Sequence, residues 1–152
     1  MSDRYMKQAL IEACEGISKG HGGPFGSVVV KQGSIVGRGH NRVLEKHDPT
    51  CHGEIEAIRD ACKKLGTHDL SGCELYTTAE PCPMCLGAIM WANIKKVYYG
   101  CTKLDTAEIG FRDDDFYKHL SGEAKVLDLQ ECDRQACLEL FAQYDSQEKE
   151  LY

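Results

Sequence analysis

The stretch CELYTTAEPCPMCLGAIMWANIKKVYYGC, residues 73–101, carries the fold, because it reads as a strand, a helix and a second strand in succession. Cys73 to Thr78 is a β-prone run. Pro83 suits the first turn of a helix that continues through Leu86, Ile89, Met90 and Trp91. Lys95 to Cys101 then returns as another strand, which makes the segment a βαβ crossover with its strands parallel. Upstream, His52 to Leu65 keeps Ile55, Ala57, Ile58, Ala61, Cys62 and Leu65 at helical spacing, and Gly66 is placed as its C-cap. Before the break at Asp48-Pro49-Thr50, Ser27 to Lys31 and Ser34 to His40 are short β-prone runs joined through Gln32-Gly33, the pattern of a hairpin. Two crossovers after an opening hairpin predict a mixed sheet with helices on its faces, an α/β fold.

Towards the ends the pattern thins. Met6, Ala9, Leu10, Ala13 and Ile17 fall on one face of a first helix, which Gly20 to Gly23 ends. Lys125 to Leu129 reads as a possible edge strand. Cys132 to Tyr144 reads as a last helix, with Asp133, Cys137, Leu140, Phe141 and Tyr144 near one face, before a charged tail and a terminal Leu151-Tyr152. Over residues 1–152 there is no repeat and no linker, and the length suits one domain with one core.

Composition narrows the function. Lys and Arg number 18 against 24 Asp and Glu, a formal charge of −6, which repels phosphate backbones and makes a nucleic-acid partner unlikely. The most apolar segments, Gly87 to Ala92 and Ser27 to Val30, fall far short of the ~20 residues of a membrane span. The opening residues carry scattered charge and lack the apolar run of a secretory signal. The expected location is therefore the cytoplasm. There the 9 cysteines read as buried thiols and metal ligands in preference to a disulfide framework.

Three of those potential ligands combine. Cys82 and Cys85 stand three apart at a helix start, so their sulfurs share a face, and the free N–H groups and dipole there favour thiolates. His52 heads the other predicted helix. If both helices leave the same end of the sheet, one nitrogen and two sulfurs converge, leaving a fourth position for water as in catalytic rather than structural zinc sites. Glu54, about 200° round the helix from His52, is free to face that water and to move protons to a leaving nitrogen. His52-Gly53-Glu54 followed by Pro81-Cys82-Pro83-Met84-Cys85 is the signature of zinc-dependent deaminases.

On that signature, and on Gly22-Gly23-Pro24-Phe25-Gly26, Asp48-Pro49-Thr50, Glu80 to Ile89 and Ala107-Glu108-Ile109-Gly110-Phe111, the chain resembles the cytidine deaminase superfamily. Within it, the resemblance is to the small bacterial guanine deaminases over nearly the whole length. The resemblance implies a three-layer α/β/α sandwich with a central five-stranded mixed sheet, one zinc per active site, and hydrolysis of guanine to xanthine and ammonia. It also implies a homodimer that exchanges C-terminal segments. Carried over to this chain, it makes Asn41 a hydrogen-bond partner of the purine base and Asp113 a second catalytic carboxylate. It brings Tyr152 into the partner's pocket and leaves Phe25 to stack on the base. Gly53 departs from the family, which most often has alanine there, yet its backbone N–H still suits a substrate carbonyl.

Other readings remain open at this level. A tRNA adenosine deaminase shares the zinc motif but calls for a basic stripe. Cytosine or guanosine as substrate is a question of pocket size. A non-catalytic zinc module needs no Glu54, and a thiol redox protein built on Cys82 and Cys85 needs neither His52 nor Glu54.

Overall fold

A computed structural model describes residues 3–152. The elements are α1 (Asp3–Ser18), β1 (Gly26–Lys31), β2 (Ser34–His40), α2 (Val43–Lys46), α3 (Gly53–Leu65), β3 (Cys73–Ala79), α4 (Pro83–Trp91), β4 (Lys96–Cys101), α5 (Lys103–Glu108), α6 (Asp113–Ser121) and α7 (Arg134–Asp145). The hairpin forms where expected. Gln32 and Gly33 both take positive φ, 49° and 80°, as a type I′ turn requires.

The sheet runs β2-β1-β3-β4. β1 is antiparallel to both β2 and β3, while β4 is parallel to β3. β2, β3 and β4 therefore point the same way, as two crossovers demand, and α3 and α4 both leave the sheet at the carboxyl ends of these strands. Strand alternation divides the core in two. Val28, Val30 and Tyr76 face α1 and pack with Tyr5, whereas Val29 and Leu75 face α3 and α4 and pack with Ala57, Ala61 and Ile89. Three layers, α/β/α, result.

Two expectations change. Among the described residues the sheet has four strands, and Lys125 to Leu129 forms no strand. That segment is exposed and is carried off the sheet together with α7, so no strand lies against the outer edge of β4. A strand needs a neighbour to pair with, and β-propensity alone does not supply one.

The buried face of α1 is also turned from the reading above. Leu10 and Ile17 are 50% and 51% exposed, while Tyr5, Ala9 and Ala13 are buried. The reason is close approach. A Cβ on Gly26 would stand 2.1 Å from the Ala9 carbonyl oxygen and 2.5 Å from the Ala13 nitrogen, so small residues, not the largest apolar ones, face the sheet.

Candidate active site

Every loop at the carboxyl ends of β2, β3 and β4 opens on the same edge of the sheet, the usual place for a ligand in an open α/β fold. His52 is the N-cap of α3 and Cys82 the N-cap of α4, both in extended conformation, and neither side chain caps its helix. The side chains turn to one another instead. His52 Nδ1 lies 3.6 Å from Sγ of Cys82 and 3.6 Å from Sγ of Cys85, and the three donor atoms lie within 4.8 Å of one another. Pro83 occupies the first helical position, where its missing N–H costs nothing, and Cys85 falls one turn in.

The charges follow from that crowding. Hydrogen bonding with Cys85, and then with His52, holds the Cys82 thiol down to about 4 despite its burial. The same bond with Cys82, followed by burial, pushes Cys85 up. The bond to Cys82 raises His52. One thiolate, one thiol and one imidazole held this close suit a cation that replaces their shared protons. One nitrogen and two sulfurs match zinc in both softness and number.

Glu54 is buried, 5% exposed, in the first turn of α3. Burial pushes its carboxyl up to about 7, where a group takes and gives protons with equal ease at neutral pH. It is not one of the three clustered donors, as its offset from His52 suggested.

A cavity of about 480 Å³ adjoins the cluster, lined by His52 and Cys82 on one side and by Asn41, Phe25, Phe111 and Arg112 on the other. Its size lies in the range of small-molecule sites, roughly 300–1,000 Å³. Asn41 is buried, and its Oδ1 accepts the Val43 N–H at 3.0 Å, which leaves the amide nitrogen as the group to offer a ligand. Gly22 makes this placement possible, since a Cβ there would stand 2.1 Å from Asn41 Oδ1. Phe25 meets Phe111 edge to face, centroids 4.8 Å apart at 81°, so two aromatic rings form one wall. Gly53 is tightly placed as well. A Cβ on it would stand 3.0 Å from the Phe25 carbonyl oxygen.

Asp113 opens α6 and is half-buried. Its carboxyl is pushed up by burial and then by the negative charge of Cys82, but it is neither one of the clustered donors nor part of the cavity lining. Tyr117 on the same helix donates its hydroxyl to the Pro81 carbonyl, tying α6 to the turn that carries Cys82. Tyr152 lies elsewhere. It is 80% exposed and sits against His68 and Trp91 of its own chain, ring centroids 5.9 Å apart in each case. Trp91 ends α4, a helix of 9 residues and so about 13 Å long, whose opposite end holds the cysteines. Within one chain Tyr152 does not approach the site. Phe111, Arg112, Met84 and Phe116 also line the cavity, and the sequence reading gave none of them a role. Phe111 and Arg112 lie in a loop, which carries no periodicity, and Met84 and Phe116 lie on short helices; the cue was Gly110 beside an aromatic.

A three-layer α/β/α sandwich with one imidazole and two thiols at converging helix N-termini, and a buried carboxylate beside them, defines a zinc deaminase architecture. The chain belongs to the family defined by the cytidine and deoxycytidylate deaminase zinc-binding region, which it matches over residues 1–101. Among its relatives, the guanine deaminase of Bacillus subtilis strain 168 is 50% identical over 123 residues, 81% of this chain and 79% of that one. The crystal structure of guanine deaminase from Bacillus subtilis superposes with a TM-score of 0.89 and 42% identity, covering 100% of this chain and 99% of that one. A tRNA-specific adenosine deaminase from Aquifex aeolicus is 46% identical over 95 residues, 62% of each chain.

Proposed function

We propose that the protein is a zinc-dependent guanine deaminase that hydrolyses guanine to xanthine and ammonia. The observation that carries this reading is the extent of the likeness. In sequence, similarity to guanine deaminase covers 81% of the chain against 62% for the tRNA-specific relative, and in structure it covers 100%, α5, α6 and the C-terminal segment included. The net charge of −6 also disfavours a tRNA substrate.

His52, Cys82 and Cys85 would hold zinc, which supplies a Lewis acid able to activate water at neutral pH. Glu54 takes one proton of the attacking water and delivers it to the purine ring nitrogen, then takes the second from the hydroxyl newly bound to the ring carbon and delivers it to the departing amine as the C–N bond breaks. The products are xanthine and ammonia, so that one water is consumed and the atoms balance. Asn41 holds the edge of the base through its amide, and the backbone N–H of Gly53 faces a base carbonyl. Phe25 packs on the ring, and Asp113 is the second carboxylate that bonds or protonates the base.

A homodimer with exchanged C-terminal segments completes the reading. Residues 124–148 are exposed throughout in the single chain, and Leu140 and Phe141 of α7 lie open at 61% and 68%. That is the state of an arm built to cover another copy. Its terminal Tyr152 would close the partner's pocket. No helix among the described residues is long and apolar enough to cross a membrane, in keeping with a cytoplasmic enzyme.

The test is a substrate panel on zinc-loaded protein, following ammonia release and ultraviolet change with guanine, guanosine, cytosine, adenine and a tRNA anticodon stem-loop. Xanthine from guanine, and no ammonia from the stem-loop, is the expected outcome. Turnover of the stem-loop in place of guanine would refute the reading.

A further inference from the structure

A buried titratable group that this chemistry leaves unused stands at the end of β2. His40 is 1% exposed, and both its ring nitrogens are engaged. Nδ1 lies 2.9 Å from Glu12 Oε2 on α1, and Nε2 lies 2.8 Å from Nδ1 of His21. A carboxylate only accepts, so the Glu12 bond places a proton on His40 Nδ1, while Nε2 shares a hydrogen bond with His21 Nδ1. The two imidazoles stack, 16° apart in plane with centroids at 5.1 Å.

His21 carries the connection further. Its carbonyl accepts the N–H groups of Leu44 and Glu45 at 3.0 and 3.1 Å. Its Nδ1 lies 3.5 Å from Glu45 Oε2, which in turn accepts from Arg42 Nη1 at 2.6 Å. These bonds join two segments that share one wall of the cavity. Gly22 and Gly23 follow His21, while Val43 and Leu44 follow His40 after Asn41 and Arg42, and all four line the cavity with Asn41 between them. A further backbone bond, from Asn41 N–H to the Phe25 carbonyl at 2.9 Å, completes the closure.

We infer that His40, with His21 and Glu12, is a positioning group for the substrate, clamping the loop 20–25 to the turn 41–46 so that the Asn41 amide is fixed in the pocket wall. The identity of the base that Asn41 holds rests on the guanine deaminase reading, whereas the clamp rests on geometry alone. Losing the His40 ring would leave the Glu12 carboxylate and His21 Nδ1 without these partners at a half-buried place. The wall would then relax, while His52, Cys82 and Cys85 stay fixed by α3 and α4. Binding of the base should suffer more than the proton transfers, because an interaction present equally in ground and transition states appears in KM and not in kcat.

The test compares His40→Ala, His40→Gln and Glu12→Gln in the zinc-loaded protein. For His40→Ala the expected result is a roughly 3- to 30-fold rise in KM for guanine with kcat held within about twofold, and unchanged zinc content. His40→Gln, which keeps a donor and an acceptor, recovers part of the loss. Amide hydrogen exchange in the same samples accelerates over residues 21–25 and 41–45 and not over 83–91. An unchanged KM together with unchanged exchange overturns the clamp, as does a fall in kcat at constant KM. If the parent protein fails on guanine while both loops still exchange faster in His40→Ala, the substrate reading falls and the clamp stands. Should His40→Ala fail to fold, Glu12→Gln carries the same split in reduced size, and no change in KM or loop exchange there overturns the inference.

Discussion

Cys82 and Cys85 illustrate how two identical side chains three residues apart divide one proton. The bond between them, with His52 alongside, lowers one thiol to about 4 and raises the other. Metal binding must therefore displace the proton that Cys85 holds, and affinity for zinc falls as the pH falls, because protons compete for the same atoms. Loading the zinc-free protein near pH 7 should release about one proton per ion or more, measured with an indicator dye in weak buffer. Cys82→Ser should lose the metal, read by mass spectrometry of the native protein; full zinc occupancy in that variant would remove Cys82 from the ligand set. His52, Glu54, Cys82 and Cys85 were legible from sequence because short spacings on helices fix directions. Asn41, Asp113 and Tyr152 were not legible in that way. The roles proposed for them rest on the family resemblance, because where loops and a tail run is not written in residue type.

At the scale of elements, the hairpin and both crossovers could be read because turn residues and apolar periods mark them. The short helices α5 and α6 could not, since α5 has 6 residues, too few to establish a period, and α6 opens on Asp113-Asp114-Asp115, a run that reads as a solvated loop. One signal was present. Thr102 and Asp105 form a reciprocal cap, in which Thr102 Oγ1 accepts the Asp105 N–H at 3.3 Å and Asp105 Oδ2 accepts the Thr102 N–H at 2.8 Å. The loop and helix that follow carry Phe111 and Phe116 to the cavity, so this cap connects local stability to the site. Thr102→Ala should cost about 1 kcal/mol, seen as a loss of about 3 °C in Tm, with a raised KM for the base. On α1 the apolar period identifies Met6, Ala9 and Ala13 on the packed face, whereas Leu10 and Ile17, on the same period, turn outward because the backbone approach at Gly26 admits only small residues.

For the whole molecule, the layered core was legible and the extent of the sheet was not, because an edge strand depends on a neighbour that lies far away in sequence or on another chain. The exposed C-terminal arm has the same origin. Light scattering coupled to size exclusion should give a dimer, and deletion of Tyr152 should lower turnover while leaving Tm and dimer mass unchanged. A monomer in solution, or unaltered kinetics after the deletion, would remove the exchanged arm from the account.

In the proposed reaction His52, Cys82 and Cys85 hold a zinc, and Glu54 carries the protons. Zinc content and xanthine formation measured on one sample of Glu54→Gln test this most directly. The expected result is a full complement of zinc with turnover of guanine reduced by roughly 100-fold or more. Turnover near that of the parent protein, with zinc in place, would contradict it.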